Sequence, residues 1–239
     1  MLRTSEFKQG LKAGAPIALG YIPIAITFGV LSQTQGVPLH IPILMSVLVF
    51  AGASQFIALN LLYLGTGGLE IILTTFVVNL RHLIMSASVA RRIKQVIPDK
   101  LVPVISFGIT DETFSLISLS PPDQMSASFV MGVQIIAYLS WVSGTALGVL
   151  VGGGLPDILQ ASMGIALYAM FIGLLVPNVT TSQAVLMVVL LAMGINTVFH
   201  FSPGALSSIS DGWAIIITTV LASAIGAAVF PKGVSTDGG

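Results

Sequence analysis

The sequence predicts an all-α fold, a polytopic transmembrane helical bundle with about seven to eight hydrophobic segments. Three observations carry that prediction. Only 8% of the 239 residues are charged and 55% are hydrophobic, and the mean hydropathy is +1.00. A soluble domain keeps roughly a quarter of its residues charged to cover its surface. The apolar runs are also long and continuous, whereas β-barrel strands alternate apolar and polar residues in short stretches.

A span needs about 20 apolar residues to cross the hydrocarbon core. Candidate segments run near 13–34, 41–64, 69–90, 101–120, 126–151, 155–177, 183–201 and 212–230. Turn signals separate them: Gly36-Val37-Pro38, the Gly-rich 65–68, Pro121-Pro122-Asp123, Gly152-Gly153-Gly154 and Pro177-Asn178. The first twelve residues are basic but hold no cleavable apolar leader, so the first segment reads as a retained span. Far downstream, Phe201-Ser202-Pro203-Gly204 and the following Ser207, Ser208 and Ser210 read as a loop or kink before the last span. All of residues 1–239 form a single integral membrane domain.

Charge placement predicts topology. Arg3, Lys8 and Lys12 precede the first segment, and Arg91, Arg92, Lys94 and Lys100 cluster between the third and fourth. Lys232 follows the last segment. Positive-inside bias puts both basic clusters, and the N-terminus, on the cytoplasmic side of a cytoplasmic (inner) membrane. Three full crossings would separate them. One of the first three segments is therefore expected to be broken or re-entrant, the second or third being the best candidates because Gln55, Asn60, Asn79, Arg81 and His82 interrupt them. Residues 51–57 and 166–172 share a spacing, and Gly29 matches Gly144 at the same offset, which suggests half-repeats near 11–120 and 126–230. With an odd number of crossings in each, the halves would be inverted.

Polar groups at bilayer depth mark the candidate site. A charge there costs at least about 2.5–3.5 kcal/mol, so it normally faces protein or water. Asn79, Arg81 and His82 form one cluster and Thr110, Asp111, Glu112 and Thr113 another. Arg81 is expected to pair with Asp111 or Glu112. Adjacent helical residues point about 100° apart, so the two acids cannot share one partner squarely. The pair is either a static strut or part of a midplane solute site. Gly52, Ser54 and Gln55 suit either close packing or a broken helix whose amides face an anionic group. Gln134 and Asn60 read as interhelical glue. Zero cysteines exclude disulfides and thiolate metal sites, and His40, His82 and His200 show no metal-ligand spacing. Neither a metal nor a cofactor is expected, no nucleotide loop or catalytic triad is visible, and nucleic acid is not an expected partner. The chain reads as no enzyme.

At these motifs the chain resembles the AzlC family, the large subunits of branched-chain amino acid exporters of the LIV-E type. The resemblance rests on the stretch from Gly20 to Gly29, on Ala51 to Phe56, on Asn79-Leu80-Arg81-His82 and on Thr110 to Phe114. It implies a permease exporting leucine, isoleucine or valine, with methionine as a further candidate, driven by protons, with a separate small AzlD-type membrane subunit. Substrate-binding candidates are Gly52, Ser54, Gln55, Asn79, Arg81, Asp111 and Glu112. Asp111, Glu112 and His82 are the proton-coupling candidates, the acid farther from Arg81 being the better carrier. Phe28, Phe56, Ile57 and Phe114 are expected to receive the aliphatic side chain. The rival reading is a passive channel or facilitator in which the same charges serve structure alone.

Overall fold

The computed structural model describes residues 3–93, 97–121, 125–202 and 209–231. Lys94, Pro122, Asp123, Pro203, Gly204, Ser207, Ser208 and Lys232, named above, lie outside the described residues. Ten α-helices follow in order, with no strand among the described residues: α1 (Thr4–Thr34), α2 (His40–Leu48), α3 (Gly52–Tyr63), α4 (Gly68–Ile93), α5 (Val102–Phe107), α6 (Asp111–Leu119), α7 (Ala127–Val151), α8 (Asp157–Thr181), α9 (Gln183–Phe201) and α10 (Asp211–Val229). Five of them are long and apolar enough to cross a membrane: α1, α4, α7, α9 and α10. The fold is an all-α membrane bundle. The second and fourth apolar segments, however, are each split into two short helices.

The chain forms two compact units, residues 1–59 with 78–168, and residues 60–77 with 169–239. In the first, α1 and α7 lie side by side and parallel. The backbone N–H of Arg3 donates to Ser128 Oγ at 2.9 Å, and the contacts then climb in step through Gly14 with Val133, Ile22 with Gly144, and Val30 with Gly152. Small residues let the backbones touch. A Cβ on Gly144 would lie 2.7 Å from the Ala25 Cβ and 3.0 Å from the Ile22 carbonyl oxygen, which is the close approach that membrane helices use for packing. Pro16 and Pro23 sit within α1, and the Thr27 hydroxyl donates to the Pro23 carbonyl at 2.9 Å.

The second segment is a re-entrant hairpin. Ser46 and Gln55 would be about 13 Å apart along a straight helix, yet Gln55 Nε2 donates to Ser46 Oγ at 2.9 Å. The chain reverses at residues 49–51, where Phe50 has φ 47°, a left-handed conformation rare for a bulky side chain. The Phe50 ring meets Tyr21 at 6.3 Å, whereas Phe56, six residues on, meets Phe28 at 5.2 Å. So α3 climbs back toward the end of α1 from which α2 descended.

The fourth segment repeats the device from the opposite end. Ile105 of α5 and Ile117 of α6 would be about 18 Å apart along one helix, but both belong to a buried cluster with Val89, Ile93, Ile97, Met125 and Phe129. The turn of this second hairpin is Gly108-Ile109-Thr110. The two tips meet: Phe50 and Phe107 lie 6.1 Å apart, and Tyr138 of α7 packs on both, at 5.2 and 5.8 Å.

Because Val89 and Ile93 share a cluster with Phe129, the end of α4 that carries Arg91 lies at the end of the α1–α7 pair that also holds Arg3 and Ser128. That agrees with the expectation that one early segment fails to cross, and it identifies the second. The hairpin in the fourth segment was not anticipated. An opposed arrangement is present, but inside residues 4–119: α1 with one hairpin, then α4 with another pointing the other way. The motif at 51–57 follows a helix break, whereas 166–172 lies within the continuous helix α8.

In the second unit, α9 and α10 pack through Gly226 and Val188. The Glu70 carboxylate accepts from the Ser210 hydroxyl and from the Trp213 backbone N–H, the latter at 3.0 Å. It thereby caps the N-terminus of α10, where negative charge is favoured.

Single cysteines introduced as Lys8→Cys and Lys100→Cys are expected to react with a membrane-impermeant thiol reagent from the same face of oriented vesicles, and Gln35→Cys from the other. Reaction of Lys8→Cys and Lys100→Cys from opposite faces would refute the re-entrant hairpins.

Candidate functional site

The first hairpin is locked onto α7 by a buried polar chain. Trp141 Nε1 donates to Gln55 Oε1 at 3.0 Å, Gln55 Nε2 donates to Ser46 Oγ, and Ser46 shares a hydrogen bond with Thr145 at 2.8 Å. Ser54 Oγ donates to the Ala51 carbonyl at 2.9 Å, and Gly52 lies under the Trp141 ring. Gln55 and Ser54 are each 1% exposed. Of the two roles open to Gly52, Ser54 and Gln55, close packing is the one their contacts fulfil. Similarly, Phe28 and Phe56 meet edge to face, 0% and 1% exposed. They form core and leave no room for a solute's side chain.

The second hairpin presents charge. Thr110 caps α6 with a reciprocal box: the Thr113 N–H donates to Thr110 Oγ1 at 3.3 Å, and the Thr110 N–H donates to Thr113 Oγ1 at 2.8 Å. Such boxes satisfy the free amides of a helix start. Asp111 and Glu112 then occupy the first turn, where the helix dipole favours carboxylates. They diverge as adjacent helical residues must. Asp111 Oδ2 pairs with Arg81 Nη1 at 2.8 Å, with the two side chains 33% and 35% exposed. Glu112 turns to Tyr21 of α1, whose hydroxyl also contacts Thr110 Oγ1 at 2.7 Å.

Tyr21 was missed as a candidate because a tyrosine within an apolar run reads as core. Its ring is indeed buried, edge-on to Phe50 at 6.3 Å and Trp141 at 5.3 Å, but its hydroxyl reaches the opposing hairpin. Like Tyr138 it touches both hairpin tips, and it also reaches the Glu112 carboxylate. A phenol carries one proton. With Glu112 ionised the hydroxyl donates to the carboxylate; with Glu112 protonated, the acid donates to the phenol oxygen and the phenol to Thr110. The same heavy-atom geometry thus accommodates both charge states.

On α4, Arg81 Nε and Asn79 Oδ1 are buried and have no hydrogen-bond partner among the described residues. A buried polar atom left unpaired is costly and calls for an explanation. His82 is half-buried beside them. Gln134 acts as glue, Nε2 donating to the Ile105 carbonyl at 2.8 Å, whereas Asn60 and His200 are exposed. The arrangement therefore joins a cation with spare donors, two separately directed carboxylates and a spare amide acceptor.

The chain matches the family model described as AzlC protein over residues 16–155. It is similar to an uncharacterized membrane protein of Archaeoglobus fulgidus, 39% identical over 179 residues, covering 74% of this chain and 77% of that one. It is similar to the inner membrane protein YgaZ of Escherichia coli, 28% identical over 187 residues, with 76% of each chain covered. The branched-chain amino acid transport protein AzlC of Bacillus subtilis is 29% identical over 150 residues, covering 62% of this chain and 58% of the relative. No solved structure matches the chain.

Gln55→Leu removes the acceptor of Trp141 Nε1 and a donor to Ser46. Stranding such groups costs about 1–3 kcal/mol each, so a clear fall in the detergent melting temperature is expected, with a shift in tryptophan emission. An unchanged melting temperature would show that this chain of bonds does not hold the hairpin.

Proposed function

The chain belongs to the AzlC family, and from that premise we propose that it is a proton-coupled secondary transporter exporting branched-chain amino acids, together with a small AzlD-type subunit, across the cytoplasmic membrane. The observation that carries the reading is the meeting of Arg81, Asp111, Glu112 and Tyr21 where two opposed hairpin tips converge. Non-helical backbone at membrane depth is tolerated where protein or a water-filled path surrounds it, and discontinuous helices commonly form transporter sites.

On this reading the solute opens the Arg81–Asp111 pair. Its carboxylate takes guanidinium donors, including the spare Nε, and Asn79 Oδ1 joins Asp111 in receiving the ammonium. Glu112, the acid not paired with Arg81, is the proton carrier, and Tyr21 follows its charge state by reversing the direction of a hydrogen bond. Gly52, Ser54 and Gln55 then shape the site from behind by fixing the first hairpin, and His82 is a lesser coupling candidate. The aliphatic chain meets Phe107, whose ring is exposed at the second tip, in place of the buried Phe28 and Phe56. Aliphatic pockets discriminate by only about 1–3 kcal/mol per methylene, so leucine, isoleucine and valine would all be accepted. The basic residues at one end favour a cytoplasmic N-terminus. Exposed apolar side chains along α4, including Ile72, Phe76, Leu83 and Ile84, suit contact with lipid or the small subunit.

One observation favours the passive alternative: Arg81 Nη1 and Asp111 Oδ2 already pair at 2.8 Å as a strut would. Efflux of labelled leucine from vesicles holding the chain and its small partner separates the two. We expect flux to follow an imposed pH gradient, Glu112→Gln to abolish that dependence, and Asp111→Asn to weaken half-saturation about tenfold or more, as for loss of a charge-assisted bond. Intact flux in both variants would leave the charges structural; no leucine flux in the native pair would remove the exporter.

A further inference from the structure

A second polar and apolar combination lies away from the hairpin tips. Within the first unit, the last turns of α4, the stretch 97–99 and helix α5 enclose a cavity of about 370 Å³. That is near the lower end of small-molecule sites, about 300–1,000 Å³. Val89, Ile97, Ile105 and Ile109 line it, each no more than 5% exposed. Arg91 and Asp99 also line it, and both are exposed. They carry opposite charges yet form no ion pair with each other, and neither pairs with another described residue. Its wall includes the buried Ile109, in the turn of the second hairpin and directly before Thr110, Asp111 and Glu112. The cavity lies at the end of the bundle shared with the N-terminus.

We propose that this cavity is a loading vestibule for a small aliphatic zwitterion, with Arg91 receiving its carboxylate, Asp99 its ammonium, and the branched aliphatic wall its side chain. The assignment rests on the transport reading above and adds a second binding place on the same route. Unpaired charges of both signs at the rim select against ligands of one sign, because each such ligand leaves one partner unanswered. The oily wall selects against polar side chains. Ile109 then separates the vestibule from the charged tip, so a shift of the hairpin turn passes cargo from one to the other.

The chain has no cysteine, so Ser106→Cys and Ser86→Cys each place a single thiol on the cavity wall. In full-length protein with its partner, the rate of modification by a small methanethiosulfonate applied to the N-terminal face reads occupancy directly. Leucine is expected to slow it at both positions. Isoamylamine and 4-methylpentanoate, each keeping the aliphatic part and one charge, should protect far less. Arg91→Gln and Asp99→Asn should each raise the leucine concentration for half-protection about tenfold or more, and protection should survive Asp111→Asn. Equal protection by all three compounds, or none by leucine at either position, would overturn the vestibule. So would protection lost with Asp111→Asn but kept in Arg91→Gln, which traces to the tip. Protection without any leucine flux would uphold the vestibule and remove the exporter reading instead.

Discussion

Lipid supplies no hydrogen-bond partner, so a helix that stops halfway across a membrane must have its loose backbone groups answered by protein. Both breaks in this chain obey that constraint. At the first, the Tyr138 hydroxyl donates to the Val47 carbonyl at 3.0 Å and Ser54 donates to Ala51. At the second, Gln134 donates to Ile105 and the Thr113 hydroxyl donates to Gly108 at 2.9 Å. Gln134 and Tyr138 belong to α7, as do Trp141 and Thr145, which secure Gln55 and Ser46. One helix therefore serves both hairpins, and its own position is set by the small-residue contact with α1.

The charges follow from the same economy. A helix that begins inside the membrane has a partial positive end, and carboxylates in its first turn are favoured there. Asp111 and Glu112 occupy that turn, so part of the cost of holding them at depth is met before any side chain pairs with them. Divergence by one helical step then gives them different neighbours, Arg81 for one and Tyr21 for the other. Two carboxylates with different neighbours are free to take different tasks, which a pair crowded on one cation is not.

The class, the position of the apolar segments and an ion pair between Arg81 and one of the acids at 111 and 112 were legible because hydropathy, length and charge cost act through local sequence. That one of the first three segments fails to cross was legible from the basic residues on the two faces, but the choice between the second and the third was not, since neither carries a local turn signal. The twin hairpin at 101–120 was hidden, since the run is apolar at both ends and Gly108 alone is a weak breaker. The cue that was available is Thr110 followed directly by Asp111 and Glu112, a helix-start pattern placed in the middle of a supposed span. Tyr21 could not be singled out by type. Its role depends on which hairpin comes to rest against α1, a long-range fact. Gln55 errs the other way: a polar residue in a small-residue stretch invites a ligand, and here Trp141 and Ser46 occupy it.

Glycine contact between α1 and α7 has a mechanical corollary. Where Cβ atoms are missing and carbonyls nearly touch, neither helix can slide or roll without collision. This pair is a stator. Any cycle that opens one face and then the other has to be performed by pieces hung from it, and the two short helix pairs are the parts attached only by side-chain ties. A substitution that enlarges Gly14 or Gly144 would then derange that frame, whereas one at a hairpin tie would loosen only the hairpin it holds.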